Sequence, residues 1–236
     1  MNRFFLSVVS SISGSVLPDI NLVFDGNSLV RGFNNSGQEQ YFPNLVNDAL
    51  SVNYNTTFNS FGVDSQKTAD MIADETTQIY PLADPSKINI LIAWEDANSI
   101  IQLDNGYDNT GTVSAAQNFA DMETYFNGAT GFQYKILITG YYPRKDITSG
   151  DYEIGSYKAI LSSLSTQEDY FDLVLNADIW TVPWTHHIDL RDAPNIGGVA
   201  GQNENATYFN DYIHLQSLGY EEISTMVINT INDILI

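Results

Sequence analysis

The sequence predicts an α/β domain built on a parallel sheet with helices on both faces. Short apolar runs alternate with longer stretches of helical spacing along the chain, the pattern of repeated crossover units. The clearest run, Ile88 to Trp94, is nearly all branched apolar residues, as expected of a strand buried on both sides. A length of 236 residues, 43% of them hydrophobic and 16% charged, suits one domain with a full core.

The elements follow in order. Ile20 to Phe24 is the first strand, and Asp25-Gly26-Asn27-Ser28 follows it at once. Tyr41 to Leu50 has helical spacing through Phe42, Leu45, Val46 and Ala49. Phe58 to Val63 reads as a second strand, Thr68 to Ile79 as a helix, and Ile88 to Trp94 as the third strand. Ser114 to Phe126 is helical, and Tyr134 to Thr139 is a buried strand stopped by Gly140 and Pro143. Tyr157 to Leu164 reads as helix, Phe171 to Ala177 as strand, and Ser217 to Leu235 as a long amphipathic helix. In such sheets ligands bind beyond the C-terminal strand ends. Residues 25–28, 62–66, 95–99 and 140–144 are therefore the candidates.

Composition narrows the chemistry. Asp and Glu number 29 against nine Lys and Arg, a formal charge of −20. Nucleic acid, whose phosphates need a basic face, is excluded as a partner, and anionic membranes and polyanionic substrates are disfavoured. No apolar run approaches the roughly 18 residues of a membrane span. The absence of cysteine removes disulfides, thiol catalysis and Cys-ligated zinc. Residues 1–17, with Arg3 and the short run Phe4 to Val9 broken by serine, read either as a signal peptide or as a connecting or docking segment, the reading favoured here. The domain proper is then 18–236.

Only three histidines are present: His186, His187 and His214. The adjacent pair in an extended segment sends its rings to opposite sides and cannot easily share one metal ion, so no metal site is expected; packing is the favoured role, and a place for one of them in the substrate cleft is the alternative. Asp211 lies three residues before His214. It can fold back onto one ring nitrogen and leave the other to accept a proton. Ser28 stands at a strand-to-helix turn, where its hydroxyl is exposed above the sheet edge. Taken alone it is better explained as a helix N-cap. Tyr141, Tyr142 and Arg144 follow the fourth strand and can line a cleft or simply pack.

Taken together, these segments resemble the GDSL-type or SGNH hydrolases. Phe24-Asp25-Gly26-Asn27-Ser28-Leu29 is similar to the family's first block, Gly-Asp-Ser-Leu after an apolar strand, with Asn27 in place of the usual Asp. Asp211-Tyr212-Ile213-His214-Leu215, followed by Gly219-Tyr220, resembles its last block. The middle blocks depart from the pattern. Gly62-Val63-Asp64-Ser65-Gln66-Lys67-Thr68 places Ser65 at the glycine whose backbone N–H serves the oxyanion hole, with Gly62 as the fallback. Trp94-Glu95-Asp96-Ala97-Asn98-Ser99 puts Asn98 at the family's asparagine, with Asp96 and Ser99 replacing a glycine and an aspartate. A competing register puts Glu95 there instead, where its charge would oppose a developing oxyanion.

The resemblance implies a flavodoxin-like three-layer α/β/α sandwich and a serine esterase for short acyl groups, acetyl on a carbohydrate foremost. Its triad would be Ser28, His214 and Asp211, its oxyanion hole Ser28, Ser65 and Asn98, with no cofactor. The expected partner is a small ester or an acetylated glycan, without nucleic acid or membrane, and homo-oligomer or virion assembly remains open. An extracellular or virion-associated setting is favoured over the cytoplasm. The alternative is a catalytically silent module of the same fold that binds glycan or serves a virion.

Overall fold

The computed structural model describes residues 17–32, 41–100, 113–140, 164–178, 180–197, 202, 205–210 and 214–235. Their core is a five-stranded sheet in the order β2-β1-β3-β4-β5. It contains β1 (Asp19–Gly26), β2 (Asn55–Gly62), β3 (Ile88–Trp94), β4 (Tyr134–Thr139) and β5 (His186–Asp189), and every pair of neighbours is parallel. β1 pairs with β2 and β3 along nearly its whole length, Gly26 standing opposite both Gly62 and Trp94. The ends of these three strands therefore form one rim.

Alternation along the strands separates two apolar layers. Ile20, Leu22, Phe24, Ile90, Ile92, Trp94, Ile136 and Ile138 pack with α2 (Tyr41–Leu50) and α7 (Ser217–Leu235), whose Phe42, Val46, Tyr220, Ile223 and Val227 are buried. On the opposite face Val23, Leu91, Ala93 and Leu137 meet α3 (Thr68–Asp74), α5 (Ala115–Gly128) and α6 (Leu164–Leu175). The architecture is the expected three-layer sandwich. Two four-residue helices, α1 (Ser28–Arg31) and α4 (Ala97–Ile100), begin just beyond β1 and β3.

One expected element is corrected. Phe171 to Ala177 is not a strand: Phe171 to Leu175 closes α6 and the rest is turn. Tyr170, Phe171 and Val174 are buried on one helical face while Leu173 and Leu175 are exposed, a spacing that a β-like composition concealed. The fifth strand is instead the short segment His186–Asp189. His186 and His187 thus lie in a strand and point to its two faces. The His186 ring packs 6.3 Å from Tyr134, and His187 Nε2 meets Thr139 Oγ1. Burial lowers the pKa of both. The expected helix over 157–164 lies outside the described residues except at Leu164, as do residues 1–16.

Candidate active site

Gly26 turns the chain at the end of β1. Its φ is +151°, and a Cβ there would stand 2.2 Å from the Trp94 carbonyl oxygen, so only glycine fits. Asn27 then caps α1: its Oδ1 accepts the Leu29 N–H at 2.8 Å. The capping duty that could explain a serine here is thus carried by Asn27, and Ser28 is the first residue of the helix. Leu29 and Val30 are buried and anchor the turn. Gly62 lets α1 approach β2, since a Cβ at 62 would meet the Arg31 backbone nitrogen at 2.2 Å.

His214 arrives from the segment before α7. Its own carbonyl accepts the Asn210 N–H at 2.7 Å, and Leu215 bridges to Phe209. Leu215 and Tyr220 are wholly buried. These anchors hold the imidazole where Nε2 lies 3.0 Å from Ser28 Oγ, a hydrogen-bonding distance between residues 186 positions apart. Ser28 and His214 are both half-buried. Asp211 lies outside the described residues, as do Tyr141, Tyr142 and Arg144.

The neighbouring strand ends carry the other candidates. Ser65 has φ +61°, the left-handed conformation that favours glycine, and it is exposed. Asn98 is half-buried, and its Nδ2 donates to the Gln66 carbonyl at 3.0 Å. Nδ2 carries two protons, so one such bond leaves a second donor on the same nitrogen. Ser28, Ser65 and Asn98 therefore follow three adjacent strands of the sheet.

Glu95 turns inward instead. It is wholly buried, with Oε1 accepting the Ser99 N–H at 2.9 Å and the Ser99 hydroxyl at 3.0 Å. Burial, reinforced by the neighbouring Asp96, pushes its carboxyl up to about 8. Asp96 is also buried, and its Oδ2 accepts the Gly140 N–H at 3.3 Å. Of the two registers, the arrangement leaves Asn98 as the half-buried amide at the rim and commits Glu95 to the interior.

Asp25 falls inside the candidate range 25–28, but the sequence assigns it no role of its own. Its carboxyl accepts the Tyr125 hydroxyl at 2.6 Å and the Gly26 N–H at 2.8 Å. Desolvation pushes it up to about 7, against the pull of those two hydrogen bonds and with a push from Asp74 and Glu75. The available signal was a carboxylate directly after the apolar-rich run Ile20 to Phe24. Among the described residues no group of three or more His, Asp or Glu converges as a metal site.

Solved structures carry the same fold. A lipase/acylhydrolase from Enterococcus faecalis is 17% identical, with a TM-score of 0.60 over 89% of this chain and 94% of that one. A GDSL-like lipase from Bacteroides thetaiotaomicron is 15% identical, with a TM-score of 0.61 over 90% of this chain and 88% of that one. A family 3 carbohydrate esterase from Clostridium thermocellum is 13% identical, with a TM-score of 0.62 over 92% of this chain and 97% of that one. No family model and no curated protein matches the sequence. The fold is therefore that of the GDSL-type SGNH hydrolases. The particular chain is related to these structures by its fold, at identities of 13–17%.

Proposed function

We propose that this protein is a serine ester hydrolase that removes short acyl groups, acetyl in particular, from a carbohydrate. The observation that carries the reading is the 3.0 Å contact between Ser28 Oγ and His214 Nε2. His214 Nε2 takes the Ser28 proton as Oγ attacks the ester carbonyl, and Asp211 holds the other ring nitrogen and stabilises the imidazolium. The backbone N–H groups of Ser28 and Ser65 and the Asn98 amide receive the oxyanion, each donor being worth about 3 kcal/mol of barrier. The tetrahedral intermediate expels the alcohol, which takes the proton from His214. Water, deprotonated by the same imidazole, then releases the acid and restores Ser28.

A formal charge of −20 favours neutral esters over polyanionic glycans. The carbohydrate esterase among the similar structures supports a sugar alcohol, as do aromatics at 12% of the chain. An extracellular or virion-borne setting fits such a substrate.

Hydrolysis of p-nitrophenyl acetate and of acetylated oligosaccharides, measured for the wild type and Ser28→Ala, tests the proposal. Turnover by the wild type and its loss in the variant are expected. Equal rates in the two proteins would overturn Ser28 as the nucleophile, and no turnover by either would leave the silent glycan-binding module as the better reading.

A further inference from the structure

Two side chains that flank the candidate nucleophile are matched to each other. Asn27 Nδ2 lies 3.3 Å from Glu95 Oε2, and both residues are buried, with relative exposures of 1% and 0%. The Asn27 amide cannot be turned over, because its Oδ1 already accepts the Leu29 N–H at 2.8 Å and a flip would set donor against donor. Its Nδ2 is thus obliged to face Glu95. On the other side, Glu95 Oε1 accepts the Ser99 N–H and hydroxyl. Ser99 Oγ in turn accepts the Thr68 N–H at 3.0 Å at the start of α3. One buried carboxyl therefore ties the turn after β1 to the turns after β3 and β2.

We propose that Glu95 is a positioning residue whose carboxyl, paired with the Asn27 amide, holds Ser28 in register with Asn98 and His214. The inference rests on the ester hydrolase reading given above, and it assigns to Glu95 no contact with substrate. Asn27 and Glu95 form a directional pair, an amide donor against a carboxyl acceptor, so each side is specific for the other. A polar pair that only filled space would tolerate either partner being changed.

Reciprocal exchange provides the test. Asn27→Asp sets a second carboxyl against Glu95. Glu95→Gln turns an NH2 group toward either the Asn27 NH2 or the Ser99 N–H, whichever way the new amide lies. Combining the two restores the match: residue 27 keeps an oxygen for Leu29, and residue 95 donates to residue 27 while accepting from Ser99. Assayed at pH 9, above the value of about 8 at which Glu95 gives up its proton, each single variant should lower kcat roughly tenfold or more, with KM within about twofold, and the double variant should return to within about threefold of wild type.

The groups facing Glu95 are Asn27, Asp96, Asn98 and Ser99, together with Tyr170 from α6. Two facing carboxyls can share one proton. The Asn27→Asp defect should therefore shrink on acidification, relative to wild type at the same pH. Singles that leave kcat unchanged, or a double variant whose loss is the product of the two, overturn the proposal.

Should a single variant not fold, the exchange is read on folding itself. A folded, active double supports the pair, and an unfolded or inactive double overturns it. Should the wild type hydrolyse no ester, the functional reading fails separately. The pair is then read from the 15N resonances of the His214 ring in the four proteins. A Ser28 hydrogen-bond signature present in the wild type and the double but lost in the singles supports it, and four identical spectra overturn it.

Discussion

Asp25→Asn should make the protein less sensitive to alkali by removing a carboxyl that the fold holds protonated. The native carboxyl titrates near 7 instead of 3.8 because burial disfavours its charge. The unfolded chain gives up this proton near 3.8, so between the two values the native state binds more protons. Its stability must then fall as pH rises through that window, and the loss is complete above about 7. The three-unit span corresponds to roughly 4 kcal/mol at about 1.4 kcal/mol per unit. Asparagine preserves an acceptor for the Gly26 N–H and presents Nδ2 to the Tyr125 oxygen, at a cost of about 1 kcal/mol for the altered hydrogen bond. The variant should therefore be slightly less stable than wild type at pH 4 and more stable by roughly 3 kcal/mol at pH 8.5. Urea unfolding of both proteins across this range measures the crossover. Glu95 titrates in both, so its contribution cancels in the difference. A difference that stays constant with pH, or that moves against the variant as pH rises, would refute the reasoning.

Two further predictions concern the rim. Ser65→Gly should retain turnover, because the backbone N–H is unchanged, and should gain up to ~1 kcal/mol in unfolding free energy from relief of the left-handed conformation. A large loss of kcat would show that the Ser65 side chain matters. Asn98→Ala should lower kcat about 100-fold or more while KM changes little, as expected for a donor that acts in the transition state. Steady-state kinetics on p-nitrophenyl acetate separate that result from a simple loss of binding.

Legibility in the sequence followed the physical range of each signal. Ile88–Trp94, Tyr134–Thr139 and the helix over Ser217–Leu235 were read at their observed bounds, because periodic burial is written locally. Phe171 to Ala177 misled because aromatic and branched residues favour strands, while the helix is decided by Tyr170, Phe171 and Val174 meeting one core face. The four-residue helices α1 and α4 carry too little periodicity to be seen, and α1 depends on its Asn27 cap. Ser28 and His214 were legible only through their motifs, since no local pattern joins residues so distant. The Asn27–Glu95 pair was present as two separate oddities, an amide where a carboxylate is usual and a carboxylate in a competing register. Their complementarity appears only once β1 and β3 lie side by side.

The central claim is that Ser28 attacks an acyl carbon and carries the acyl group. The most direct measurement is the intact mass of protein quenched in acid during turnover of an acetyl ester, followed by peptide mapping. Wild type should show one added acetyl group on the peptide containing Ser28, and Ser28→Ala should show none. Turnover persisting in Ser28→Ala, or an adduct mapping to another residue, would contradict the account.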